Sequence, residues 1–121
     1  TDVCLPISKI TECVNFAEEQ TKKFGLRAPM VGHLGDGNFH VLLPFDPEDK
    51  EMYKKIREFN DLLIKKSLEL NGTITGEHGI GLHKKEYLLQ EHPDNIPIMK
   101  SIKRTIDPNN IMNPGKIFDL N

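Results

Sequence analysis

The stretch of residues 31–40 constrains the fold most, because it predicts a turn and the register of the two strands beside it. Asp36 and Gly37 favour a tight type I′ hairpin turn, in which both central residues take positive φ angles. With this dipeptide as the turn, His33 is expected directly opposite His40 on one face of the sheet. Alternation puts the apolar side chains on the other face, which we expect to be the core side, namely Leu34, Phe39, Val41 and Leu43.

Two opposed histidines on a sheet can bind one metal ion, since their Cβ atoms are about 4.5–5.5 Å apart. In residues 71–81, glycines surround Glu77 and His78. Glu77 would complete a His33, His40 and Glu77 set with an open coordination position, the pattern of catalytic sites. His78 would then be a free base beside the metal. The same residues also fit a plain turn and a glutamate that caps the next helix.

The order of predicted elements favours an α+β fold, namely a ferredoxin-like antiparallel sheet with two helices on one face, followed by C-terminal helices. Apolar residues at helical spacing predict two long helices, whereas alternating runs predict strands. The predicted strands are residues 1–7, 29–34, 38–45 and 73–75, and the predicted helices are 9–24, 46–70, 84–90 and 93–106, the last with Ile98, Met99, Ile102 and Ile106 facing inward. We expect one domain over 1–121, with a ferredoxin-like part over 1–78 and a helical extension over 79–121.

Composition and charge exclude some functional classes. The net charge of −2 gives no argument for binding nucleic acid or an anionic membrane. No apolar run approaches the roughly 18 residues of a transmembrane helix. Cys4 and Cys13 lack metal-type spacing, so we expect reduced thiols and an intracellular setting, cytoplasmic or mitochondrial.

Several ordered motifs resemble the C-terminal domain of the FAD-linked oxidases. The relatives in question are D-lactate dehydrogenase, glycolate oxidase and D-2-hydroxyglutarate dehydrogenase. The resemblance covers essentially all 121 residues and is carried by residues 32–40, residues 76–81 with Lys84, Asp107-Pro108 and residues 113–116.

The resemblance implies an oxidoreductase that converts a 2-hydroxy acid to a 2-oxo acid. FAD would be bound mainly by an upstream domain, so we expect this chain to be a fragment that is inactive alone. The resemblance implies that His33, His40 and Glu77 hold a divalent metal, with zinc first and manganese or iron as alternatives. It implies that His78 takes the hydroxyl proton and that Asn113 contacts the flavin.

The expected partners are a small 2-hydroxy acid, the upstream FAD-binding domain and a second copy in a homodimer. Relatives that use dicarboxylates tend to carry asparagine two residues beyond the second histidine, where this chain has Leu42. An apolar side chain there suits a short substrate such as D-lactate. Two alternatives stay open: an isolated metal-binding or dimerisation module without activity, and a metal-dependent hydrolase on the same ligands.

Overall fold

Residues 1–120 are described by a computed structural model, in which the chain divides into two units, Thr1–His78 and Gly79–Asn121. The first unit contains a three-stranded antiparallel sheet. Its strands are β1 (Asp2–Cys4), β2 (Met30–His33) and β3 (Asn38–Val41), in the order β1-β3-β2. The helices are α1 (Ile10–Phe24) and α2 (Lys50–Glu69) in the first unit, and α3 (Lys85–Glu91) and α4 (Ile96–Ile106) in the second.

The predicted α+β architecture is confirmed, although one strand is reduced to a single contact. Residues 73–75 were expected to form a strand, but only an isolated antiparallel bridge links Cys4 and Thr73. Both the N–H and the carbonyl of Cys4 bond to Thr73, at 3.4 and 2.7 Å. The segment therefore lies beside β1 and then leaves the sheet edge at once, which frees the residues that follow to form a loop.

Local sequence explains where the two long helices begin and end. Gly25 ends α1 with a left-handed φ of 66°, as its position after the apolar stripe predicts. The start of α2 lies later than Asp46, because the Asp46 carboxylate bonds to the N–H of Glu48 in a turn. Asp49 takes the capping role instead, accepting the N–H of Met52 at 2.9 Å.

The core of the first unit lies between α1 and α2 on one side and one face of the sheet on the other. Alternation along the strands puts three apolar side chains on that face, and helical spacing supplies the rest. Burial raises the pKa of the Cys13 thiol to about 11, so this cysteine stays neutral and serves packing. The fully buried apolar side chains of this core are Val3, Cys13, Ala17, Phe39, Val41, Phe59, Leu63, Ile64 and Ile74.

The hairpin register differs from the prediction by two residues. His33 pairs with Asn38, and Gly32 pairs with Phe39. The connection is four residues long, with a short 3-10 helix over Leu34–Asp36 and a left-handed Gly37. Leu34 was expected in the core, but it is 52% exposed because it lies in this loop.

A contact from outside the hairpin selects the longer turn. The carbonyl of Gly37 accepts the N–H of Leu5 at 2.9 Å, which ties the turn to the segment after β1. A side chain at Gly37 would place its Cβ 2.1 Å from the Leu5 carbonyl oxygen. The turn therefore adapts to a tertiary neighbour that the local dipeptide pattern does not reveal.

The second unit leaves one helix face open, which contradicts the prediction for residues 93–106. Ile98, Ile102 and Ile106 of α4 are 62%, 56% and 70% exposed, and only Ile96 of this helix is buried. Helical periodicity correctly marks the apolar face but does not say what covers it. Within residues 1–120, no helix is long and apolar enough to cross a membrane.

The segment after α4 is organised by a buried carboxylate. Asp107 accepts the N–H groups of Ile111 and Met112 at 3.0 and 2.9 Å, and the Lys103 ammonium also donates to it. The hydrogen bond from Lys103 holds the pKa of Asp107 below its ordinary value, and the two backbone N–H groups act in the same direction.

We predict that Asp107→Asn lowers the melting temperature most at neutral pH. Because the folded-state pKa is lowered, the carboxylate stabilises the fold above the unfolded pKa of about 3.9. That stabilisation is lost as the pH falls through the lower folded-state value. Thermal unfolding from pH 7 to pH 3 should show the gap between wild type and variant closing below about pH 4.

Asp94→Asn is the matched control in the same unit, since the side chain of Asp94 is exposed. Equal destabilisation by Asp107→Asn at every pH would contradict the prediction.

Candidate functional site

The two predicted histidine ligands lie on the same face of the hairpin, on adjacent strands. The shift in register is an even number of residues, so it moves His33 along the sheet without turning it to the other face. The imidazole centroids of His33 and His40 are 6.5 Å apart, and the rings are nearly perpendicular at 89°. His40 is nearly buried, whereas the His33 side chain is 67% exposed.

Glu77 lies between the two rings. Its Oε1 is 2.9 Å from Nε2 of His40, and its Oε2 is 4.0 Å from Nδ1 of His33. Each carboxylate oxygen thus faces a different imidazole nitrogen. The structure brings together the three side chains that the sequence assigns to a metal.

The chemistry of this donor set suits a divalent metal ion. Around a tetrahedral zinc with bonds of 2.0–2.1 Å, two ligand atoms lie roughly 3.3 Å apart. The separation from Oε1 of Glu77 to His40, at 2.9 Å, is close to that value, whereas the separation from Oε2 to His33, at 4.0 Å, is longer. As they stand within residues 1–120, these three side chains do not bring one ligand atom each to within 4.8 Å of the other two. Two imidazole nitrogens and one carboxylate form the combination of an open, catalytic zinc site, and manganese and iron accept the same ligands.

Asp2 is the functional residue that the motif analysis missed. Its carboxylate is 1% exposed, and its Oδ2 accepts three consecutive backbone N–H groups. The donors are Gly76, Glu77 and His78, at 2.7, 2.8 and 3.3 Å. The Thr75 hydroxyl lies 3.4 Å from each carboxylate oxygen. β1 therefore holds the loop that carries Glu77 and His78.

A signal for Asp2 was present in the sequence. Alternation in the first predicted strand puts Asp2 and Val3 on opposite faces, so a carboxylate points away from the core. Pairing of Asp2 with His40 across β1 and β3 then places it on the histidine face. The strand order was needed to see this, because no local motif connects these two residues.

A second grouping of possible ligands shares one histidine with the first. Asp2, His40 and His78 each offer a ligand atom within 4.8 Å of the other two. However, the Asp2 carboxylate already accepts three amides, whereas both oxygens of Glu77 point at imidazole nitrogens. The hydrogen bonds of Asp2 therefore suit it to anchoring the loop, whereas the carboxylate of Glu77 faces only imidazole nitrogens.

His78 stands beside the metal ligands with one edge of its ring open. Its ring lies 4.9 Å from the His40 ring, and its Nδ1 is 3.5 Å from Oδ1 of Asp2. The side chain is 63% exposed. Since Nδ1 faces the buried carboxylate, the opposite nitrogen, Nε2, is available to accept a proton from a bound molecule.

The loop that follows Thr73 lies over the part of the histidine face formed by Asn38. Asn38 is buried there, and a Cβ added at Gly76 would lie 1.9 Å from its Oδ1. Glycine at this position lets the backbone lie directly on the Asn38 amide. This close approach brings Glu77 within reach of His40.

The flavin contact of Asn113 stays a prediction. This residue lies in the second unit. It takes a positive φ of 46°, in the turn that its composition predicts. It lines a cavity of about 230 Å³ together with Lys103, Lys116 and Phe118, among other residues. His83 is exposed and lies in the same unit.

Known proteins resemble this chain over nearly its whole length. A family model described as "FAD linked oxidases, C-terminal domain" matches residues 1–117. The chain belongs to this family.

Three relatives show the range of activities within the FAD-linked oxidases. A protein of Danio rerio named "Probable D-lactate dehydrogenase, mitochondrial" is 41% identical over 99% of this chain. Glycolate oxidase subunit GlcD of Bacillus subtilis is 36% identical over 97% of the chain, and D-2-hydroxyglutarate dehydrogenase of Stutzerimonas stutzeri is 44% identical over 72%. The chain spans only about a quarter of the first two proteins and about a fifth of the third, at 24%, 25% and 19% of their lengths.

We predict that Gly76→Ala destabilises the first unit by about 1–3 kcal/mol, because the added methyl group overpacks against Asn38. Gly35→Ala is the matched control, since a Cβ there meets nothing within 4 Å. We expect the control to change stability by less than about 0.5 kcal/mol. Urea unfolding of both variants measures the difference, and equal midpoints would contradict the close packing of the loop.

Proposed function

We propose that this chain is the C-terminal catalytic domain of a FAD-dependent, metal-assisted dehydrogenase that oxidises a D-2-hydroxy acid to a 2-oxo acid. The observation that carries the proposal is the Glu77 carboxylate between the His33 and His40 imidazoles, with His78 beside them. Such a site can fix a hydroxyl group and remove its proton, which is half of the reaction.

His33, His40 and Glu77 would hold the divalent ion, which is zinc in the first instance. When bound, the ion would lower the pKa of a substrate hydroxyl, and FAD would supply the acceptor for the hydride from C2. His78 accepts the hydroxyl proton at Nε2, so the C–O bond becomes a carbonyl as the hydride leaves. The backbone of residues 76–78, held by Asp2, keeps His78 and Glu77 at fixed positions.

The remaining assignments rest on the resemblance. FAD would be bound mainly by an upstream domain, with Asn113 contacting the flavin, so residues 1–78 and 79–121 together would act as one domain of a larger enzyme. The relative from Danio rerio carries the word mitochondrial in its name, which supports the mitochondrial one of the two expected settings.

A second candidate function is an interaction module without activity of its own. The observation in its favour is the exposed apolar face of α4, formed by Ile98, Ile102 and Ile106. Such a face could pair with a second copy in a homodimer. The geometry around Glu77 favours catalysis, because a docking surface has no need of a carboxylate between two imidazoles.

We predict that the 121-residue chain binds one equivalent of zinc and that His33→Ala and Glu77→Gln each weaken binding at least about tenfold. Loss of one of three protein ligands leaves too few to hold the ion. Calorimetric titration of metal-free protein measures the affinity. His83 is an exposed histidine in the second unit, so His83→Gln is the control and should bind zinc as tightly as the wild type does.

Equal binding by His33→Ala and wild type would contradict the assignment. No binding by the chain, followed by binding in the full-length flavoenzyme, would show that the upstream domain completes the site.

We predict that the full-length enzyme prefers D-lactate to D-2-hydroxyglutarate by kcat/KM. Leu42 lies two residues beyond His40 and is 49% exposed. We propose that this apolar side chain contacts the tail of the substrate. Leu42→Asn should move the ratio of kcat/KM toward the dicarboxylate by about tenfold, the scale of one polar contact. A preference for D-2-hydroxyglutarate in the wild type would contradict this assignment.

A further inference from the structure

Asp2 faces His78 as well as the loop backbone, and this double contact suggests a role in the reaction. Its two carboxylate oxygens have different neighbours. Oδ2 accepts the N–H groups of Gly76, Glu77 and His78, and Oδ1 lies 3.5 Å from Nδ1 of the His78 ring. One buried side chain therefore contacts both the main chain and the side chain of the same histidine.

We propose that Asp2 is a positioning residue that orients His78 and fixes its tautomer, a proposal that rests on the proposed function for the catalytic half of its test. A carboxylate can only accept hydrogen bonds, so the nitrogen that faces it must carry the hydrogen. With Nδ1 protonated, Nε2 has a free lone pair on the open side of the ring. That is the tautomer a base needs if it takes a proton at Nε2.

Burial favours this arrangement over a solvated one. A carboxylate that is 1% exposed needs hydrogen-bond donors, because an isolated buried charge costs several kcal/mol. Three backbone amides and the Thr75 hydroxyl are around it, and Nδ1 of His78 lies 3.5 Å from its Oδ1. The His40 ring, at 4.9 Å, limits rotation of His78 from another direction.

Asp2→Asn separates positioning of the ring from anchoring of the loop. The carboxamide oxygen can still accept the three amides in place of Oδ2. The NH₂ group then occupies the place of Oδ1 and can only donate, so it favours the tautomer of His78 with a bare Nδ1. That tautomer carries its hydrogen on Nε2 and cannot accept a proton there.

The first readout is the tautomer itself, which does not depend on activity. We would record the ¹⁵N resonances of the imidazoles in the metal-free 121-residue chain at about pH 8.5, about two units above the ordinary histidine pKa of 6.5. The spectrum of His78→Gln identifies the His78 signals by their loss. We expect hydrogen on Nδ1 in the wild type and on Nε2 in Asp2→Asn.

The second readout is catalysis in the full-length flavoenzyme that carries this domain. At saturating D-lactate, Asp2→Asn should reduce the flavin about 100-fold more slowly than the wild type, with KM within about threefold and metal content unchanged. Asp49→Asn is the matched control, since Asp49 also accepts a backbone N–H, and asparagine caps a helix equally well. We expect this control to behave as wild type.

Several results would overturn the proposal. These are hydrogen on Nε2 of His78 in the wild type, an unchanged tautomer in Asp2→Asn, or a loss of activity that metal loss fully accounts for. The wild-type spectrum decides even if the variant fails to fold. A further result would separate the two proposals. If both tautomers are as expected but His78→Gln reduces flavin at the wild-type rate, Asp2 positions His78, and His78 is not the base.

Discussion

The buried Asp2 carboxylate is the interaction on which the arrangement of the site depends. A charge that is removed from water must be hydrogen-bonded, and the donors it finds are three consecutive amides of the loop after the Cys4–Thr73 bridge. The residues of those amides include Glu77 and His78. The need of one carboxylate for donors therefore fixes the direction of two functional side chains that a glycine-rich loop could otherwise point in many ways.

Glycine and a small amide complete this arrangement. The backbone at Gly76 lies against Asn38, so the loop follows the sheet surface closely enough for the carboxylate of Glu77 to reach His40. Asn38 and His40 alternate along β3 onto this face, while Phe39 and Val41 point into the core. Successive side chains of a strand point to opposite faces. Burial of Phe39 and Val41 in the core therefore also fixes the face on which Asn38 and His40 lie.

A good part of the site could be predicted because it depends on parity and on chemistry. His33 and His40 share a face in the predicted register and also in the observed one, since the two registers differ by an even number of residues. Glu77 and His78 could be singled out because their residue types match metal and proton chemistry. The prediction of a two-residue turn was wrong, because the N–H of Leu5 donates to the carbonyl of Gly37 from outside the hairpin.

The sequence by itself determined the α+β class, the two long helices, the face shared by the histidines and membership of the FAD-linked oxidases. The first three follow from periodicity and residue type, which are local properties, and the family follows from the resemblance of several ordered motifs. Only the tertiary structure decided that Asp2 anchors the loop that carries Glu77 and His78 and that the apolar face of α4 stays exposed. Both depend on which distant segments meet, and hydrogen bonds between residues more than 70 positions apart leave no periodic trace in the chain.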